Sequence, residues 1–185
     1  DKHLSFNIIG ETRDDAIGEA FDKVARVVGL PYPGGVSIDK LSKEGEDSYN
    51  LPLPLNDNTF NFSFSGLKSA IINLAHNHEQ KGLEINKANL ARSFQEVVST
   101  VLSKKTEHAI KELNIKYFEV RGVNGKNVAE LNDEEVISLK GKMAEYGITA
   151  SSIGSPIGKI KITDDFESHI EELNRVIKTA KMLDC

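Results

Sequence analysis

Three carboxylates and a pair of glycines near the start of the chain are the residue types needed to bind a hydroxylated ligand. In GETRDDAIGEAFDKVARVVGLPYPGGVSID, residues 10–39, Asp15, Gly18 and Asp22 fall at i, i+3 and i+7. On a helix that spacing sets two acids along one side with a side-chain-free notch between them. Tyr32-Pro33-Gly34-Gly35 reads as a rigid turn whose glycines let a ligand or another backbone come close, and Asp39 follows four residues later. Carboxylates accept hydrogen bonds from hydroxyls, so acids beside a bare glycine turn suit a sugar such as ribose. A structural alternative uses the same residues: an acidic first turn complements the helix dipole, and Pro-Gly-Gly is a plain turn.

A second group is Ser63, Ser65 and Gly66, at a strand-to-helix turn. Backbone N–H groups there suit a phosphate, and Ser65 equally suits a plain N-cap. Lys68 reaches an anion or stays solvated. His3, His76, His78, His108 and His169 make no metal-binding pair: His76 and His78 are two apart and diverge on a helix.

The elements that must position these groups follow from period and punctuation. Residues 4–9 alternate imperfectly and read as a strand. Thr12, with Asp15 three on, predicts a capped helix over 12–28, with Ala16, Ile17, Ala20, Phe21, Val24, Val27 and Val28 facing a core. Gly29 ends it, and Pro31 and Pro33 forbid continuation. A short second helix begins near Val36. Residues 42–61 are loop, with a solvated charge run at 43–47 and a proline-extended strap at 51–55. Phe60, Phe62 and Phe64 offer one strand face to a core, and helices follow over about 67–78 and 86–113. On the last of these Leu90, Phe94, Val97, Val98, Val101 and Leu102 are core, while Arg92, Gln95, Lys104 and Lys105 are solvated. Beyond it lie a strand, a helix capped by Asn132 with Glu135 three on and closed by Gly147, a strand at 148–153, a loop at 154–159, and a helix with Phe166, Ile170, Leu173, Ile177, Ala180 and Leu183 at helical spacing. That is a βαβα order, the unit of parallel α/β folds.

The 185 residues, 39% hydrophobic and 28% charged, hold one ordinary domain or two small ones. Net charge is −5; residues 1–113 carry 13 basic and 16 acidic side chains, the rest 10 and 12. Neither part has the basic excess of a free-standing RNA binder. No apolar run is long enough to span a membrane. The single cysteine, Cys185, allows no intrachain disulfide, which points to the cytoplasm. Starting at Asp1 without a methionine, the chain reads as a piece of something longer.

The run at 10–35, together with Phe62-Ser63-Phe64-Ser65-Gly66-Leu67-Lys68, closely resembles the catalytic-subunit family that places N6-threonylcarbamoyl on adenosine of tRNA, the TsaD or Gcp-like family. The resemblance covers about residues 1–112 and implies a partial actin-like (ASKHA) nucleotide-binding fold. It implies transfer of threonylcarbamoyl from threonylcarbamoyl-adenylate to the adenosine beside the anticodon. Asp22, Gly35 and Asp39 match the family's adenylate-binding positions. No catalytic residue is assigned. The family's iron is held by an HxxxH pair and a late aspartate, none of which is present here, so no metal ligand is assigned. The implied partners are an adenylate or ATP-like nucleotide, bound weakly from one wall, and tRNA reached only through partner subunits, with no turnover by this chain alone.

From Asn114 on, the family's glycine pair and asparagine do not appear. KYFEVRGVNGKN and SSIGSPIGK resemble instead the opening of a sugar phosphate isomerase/epimerase barrel of the xylose-isomerase type, over about 114–185. On that resemblance Glu119, Arg121 and Ser155 face a substrate mouth at the strand ends. The whole then reads as an α/β chimaera: an ASKHA fragment at 1–112 followed by a βαβα fragment of a TIM-type barrel at 113–185. Its competing functions are a truncated transferase, an isomerase-like fragment, or a non-catalytic interaction module.

Overall fold

A computed structural model describes residues 3–185. The chain divides into two compact units, one ending at Glu112 and the other running over Leu113–Cys185.

Among its described residues the first unit is helical: α1 (Ile17–Val27), α2 (Gly34–Ser42), α3 (Ser65–Gln80) and α4 (Lys87–Glu112). Its core joins Ala20, Val24 and Ala25 of α1 to Ile38 of α2, Leu67 and Ile71 of α3, and Leu90, Ala91, Phe94 and Val98 of α4. Phe21 meets Phe94 edge to face, with ring centres 4.9 Å apart. Leu51, from the proline-extended strap, is buried in the same core. The amphipathic stripes of α1 and α4 assemble much as their periodicity predicts, except that Leu102, expected in the core, is exposed.

Where the first unit departs from those expectations, backbone hydrogen bonding gives the reason. Residues 4–9 form no strand, and Leu4, Phe6 and Ile8 are exposed. Alternation makes a strand only where a neighbour completes the ladder, and the pairing found here is a single parallel bridge, Thr12 to Phe62. That bridge also delays α1. Arg13 N–H donates to Phe62 O (2.8 Å) and Phe62 N–H to Glu11 O (2.9 Å), so residues 11–13 are extended. The helix begins at Ile17 behind Ala16, and Thr12 caps nothing, its hydroxyl donating to Asp15 O instead. The charge run at 43–47 is not all solvated. Gly45 abuts α4 so closely that a Cβ there would stand 2.1 Å from Ala88 O, and Asp47 accepts from the buried Ser93 hydroxyl (2.6 Å). Lys105, expected in solvent, is buried, and its Nζ donates to Asp57 Oδ1 (2.9 Å) and Thr59 O (2.7 Å).

The second unit comprises β1 (Tyr117–Val120), β2 (Gly122–Val123), β3 (Lys126–Asn127), a 3-10 turn (Val128–Glu130), α5 (Asp133–Glu145), β4 (Thr149–Ile153) and α6 (Phe166–Leu183). β1 and β4 are parallel with α5 between them, and β2 and β3 form a small antiparallel hairpin. Asn132 and Glu135 make the reciprocal capping box read from the sequence, and Gly147 closes α5 at φ +66°. The last helix turns a different face inward than its apolar spacing suggests. His169, Val176, Thr179 and Leu183 are buried, whereas Phe166 and Ile177 are exposed. The expected βαβα order is present in β1, α5, β4 and α6, but the barrel fragment expected for 113–185 is not supported, and a hairpin interrupts the path from β1 to α5.

Candidate functional site

α1, α2 and α4 of the first unit enclose an open hollow of about 410 Å³. α1 contributes Ile17, Gly18 and Phe21; α2 contributes Gly35 and Asp39; α4 contributes Gln95, Val98, Ser99 and Leu102. Gly18 is open, since a Cβ built there meets nothing within 4 Å, but neither Asp15 nor Asp22, the acids expected to flank it, lines this hollow. Gly35 is similarly open, with Phe21 Cβ the nearest atom at 4.0 Å. The floor is apolar, and the polar groups gather at Asp39, Gln95 and Ser99.

The two glycines expected to form one bare turn do different work. They are not a turn but the first residues of α2. Gly34 is buried against α1: a Cβ there would lie 2.6 Å from Asp22 Cα and 2.8 Å from Ala25 Cβ. Its small size lets the helices touch, and that contact presents Gly35 to the hollow.

Asp22 is placed apart from Gly35 and Asp39. It lines a neighbouring, smaller hollow of about 150 Å³ with Arg26, Pro31, Tyr32 and Gly34. Its Oδ1 accepts the Gly34 N–H at 2.7 Å. Pro33, the residue preceding α2, offers no capping side chain, so a carboxylate from the neighbouring helix satisfies that first-turn donor. Asp15, the other acid of the predicted line, lies outside α1 and is held by Lys23 at 2.5 Å. Lys23 also reaches Glu19, and Asp15 first and then Glu19 raise its pKa.

Asp39 is exposed and paired. Its Oδ2 meets Lys43 Nζ at 2.9 Å, one turn along α2, and its Oδ1 accepts from Gln95 Nε2 at 3.4 Å. The Lys43 hydrogen bond and charge hold its carboxyl below the usual range, so it is an anionic acceptor at neutral pH.

The serine cluster is already occupied by an acid of the chain itself. Asp14 Oδ1 accepts the Phe64 and Ser65 N–H groups (2.7 and 3.2 Å), and its Oδ2 accepts the Ser63 and Ser65 hydroxyls (2.5 and 2.8 Å). The N-terminus of α3 is thus an anion site filled by Asp14, which replaces both the phosphate and the Ser65 cap expected there. Desolvation works to raise the Asp14 pKa, but the hydrogen bonds from Ser63, Phe64 and Ser65 together hold it well below the ordinary carboxylate range.

At the ends of the parallel strands in the second unit, Glu119, Arg121 and Gly154 come together. A Cβ on Gly154 would lie 2.6 Å from Glu119 Oε1 and 3.4 Å from Arg121 Cβ. Ser155 follows, half-buried. His169 is buried nearby in the same unit: its Nε2 accepts the Gly158 N–H at 3.0 Å, so Nδ1 carries the proton toward Glu172 (3.1 Å).

Ser99 and Asp14 escaped the sequence reading, and Gln95, expected in solvent, is half-buried and bonded to Asp39 and Ser42. Gln95 and Ser99 are four apart on α4, and Leu102 follows at i+7, so a polar pair sharing an edge with the apolar stripe was the available signal. Among the described residues no group of three His, Cys, Asp or Glu side chains is placed to hold a metal ion. Nor is any helix among them long and apolar enough to cross a membrane.

Residues 2–143 match the family described as TsaD, tRNA N6-adenosine threonylcarbamoyltransferase. A protein of that name from Staphylococcus saprophyticus is 58% identical over 121 residues, which are 65% of this chain and 35% of the relative. One from Staphylococcus aureus strain JH9 is 54% identical over 121 residues, 65% of this chain and 36% of its own. The chain thus spans about a third of the length of these curated relatives. The family match runs past Glu112 into α5. These matches support the transferase resemblance; they lend none to the isomerase barrel or to the chimaera drawn from it.

Proposed function

This chain belongs to the tRNA N6-adenosine threonylcarbamoyltransferase family, and on that premise we propose that its α1–α2–α4 hollow cups the ribose of an adenylate. The ligand is threonylcarbamoyl-adenylate, whose acyl group passes to N6 of adenosine beside the tRNA anticodon. Asp39 accepts a sugar hydroxyl, Gly35 brings backbone against the ligand, and the Gly18 notch leaves room for it. Asp22 serves the same site at one remove, by holding the first turn of α2 through Gly34. The observation that carries this reading is the gathering of Gly18, Gly35 and Asp39 on one open hollow.

In the transfer itself the adenosine amine attacks the carbamoyl carbon and adenylate leaves. No side chain of this hollow is assigned to that step. On this reading the 185 residues form one wall of the pocket, bind nucleotide weakly without turnover on their own, and meet tRNA through partner subunits in the cytoplasm.

Titrating adenosine 5′-monophosphate against the full chain by calorimetry tests the reading, with Asp39→Asn as the control. Saturable binding that weakens in the variant supports it. Equal binding by both proteins, or none by either, defeats it. Binding of a sugar phosphate in place of the nucleotide would favour an isomerase-like function instead.

A further inference from the structure

We propose that Gln95 is a positioning and specificity residue of this hollow: its side-chain amide fixes the Asp39 carboxylate and offers a donor to the neighbouring hydroxyl of the same ligand. The second half of this rests on the hollow taking a ribose.

Gln95 stands between two partners on α2. Its Nε2 lies 3.4 Å from Asp39 Oδ1, and its Oε1 lies 3.2 Å from the Ser42 hydroxyl. An ionised carboxylate only accepts hydrogen bonds, so the amide must turn its nitrogen to Asp39. That leaves Oε1 facing Ser42, whose hydroxyl can donate to it. Ser42 is buried, and its single hydroxyl proton is shared between Gln95 Oε1 and the closer Asp39 O at 2.9 Å, so it restrains Gln95 through a divided hydrogen bond. The orientation of Gln95 is therefore set by charge on one side and by a buried donor on the other.

The consequence is a paired site. Lys43 takes Asp39 Oδ2, and Gln95 takes one acceptor position on Oδ1. Each carboxylate oxygen has a further lone pair, and the amide nitrogen has a second hydrogen. Both residues line the hollow. An acceptor beside a donor matches a vicinal diol, in which one hydroxyl gives its proton to Asp39 and the next receives one from Gln95. A 2′-deoxy or 3′-deoxy sugar leaves one of the two groups unpaired.

Two readouts on the full chain test this, and they fail separately. The first is the titration of Asp39, followed by carboxyl carbon NMR without ligand. Lys43 is the charged group facing Asp39, and it stays in every variant. Gln95→Leu should raise the Asp39 midpoint, and Gln95→Glu should raise it further, because a second carboxylate then faces the first. The other readout is the affinity ratio of adenosine 5′-monophosphate to its 2′-deoxy and 3′-deoxy forms. Wild type should favour the ribose over each deoxy form by about three- to tenfold, the worth of one hydrogen bond, and Gln95→Leu should bring one of the two ratios toward one while Asp39 maintains the other. Circular dichroism establishes that each variant is folded. An unmoved Asp39 midpoint in both variants overturns the positioning role. Both ratios unchanged in Gln95→Leu overturn the specificity role. Absence of nucleotide binding by wild type defeats the ribose reading and with it the specificity role, while the Asp39 titration still decides the positioning role.

Discussion

Replacing Asp14 by alanine removes the anion from the N-terminus of α3, and the loss should be large for an exposed residue. Four hydrogen bonds end on this carboxylate, two from backbone N–H groups of Phe64 and Ser65 and two from the hydroxyls of Ser63 and Ser65. Phe64, the residue before α3, supplies no cap of its own. A lost N-cap costs about 0.5–2 kcal/mol, and the charge and the number of donors here argue for the upper end, about 2 kcal/mol. For a unit of this size that lowers the melting temperature by about 10 °C at pH 7. Asp14→Asn keeps one acceptor oxygen and should lose about half as much. The pH dependence has a definite sign. A carboxyl with a folded pKa below its unfolded value contributes its full stability above the unfolded value, about 3.9. That contribution fades as pH falls through the depressed folded pKa. Urea unfolding of wild type and Asp14→Ala should therefore differ most near neutrality and converge under strongly acid conditions. A melting shift below about 2 °C at pH 7 would refute the capping role, as would a difference that stays constant into strong acid.

The helix crossing makes a contrast between adjacent glycines. Gly34→Ala sets a Cβ 2.6 Å from Asp22 Cα and should cost about 1–3 kcal/mol by urea unfolding, while Gly35→Ala meets nothing closer than 4.0 Å and should be neutral or stabilising. Equal effects would mean that α1 and α2 do not touch at Gly34. At Asp57, hydrogen bonds from Lys105 and then Thr59 hold the carboxyl at about 2. Lys105→Met should move its NMR titration toward the ordinary value, and the stability this pair adds above about pH 4 should vanish as pH falls toward about 2.

Much of the helical scaffold was legible because its signals are local. The stripe from Leu90 to Val101 produced α4, and the Asn132–Glu135 box and Gly147 bracketed α5. Those features need only neighbours within a turn or two of chain. The candidate site was legible as residues and not as geometry. Gly35 and Asp39 were both picked out, but Gly35 was expected in a turn; its place at the start of α2, one helical turn before Asp39, brings both to one face.

What lay beyond the sequence depended on residues far apart in the chain. Asp14 reaches α3 some fifty positions on, and Lys105 is drawn into the interior by Asp57 and Thr59, forty-odd positions before it. No spacing rule links such pairs, and the energy of burying a charge turns on whether a partner arrives. The same limit explains the unformed strand at residues 4–9, where alternation was present and a ladder partner was not. Sequence alone determined most of the helical segments and the family to which the chain belongs. Only the tertiary structure decided that Gly34 belongs to a helix crossing while Gly35 faces the hollow, and that Asp22 holds a helix end while Asp39 lines the hollow. Those assignments follow from how α1, α2 and α4 pack, because a side chain's role is set by the surface it meets as well as by its type.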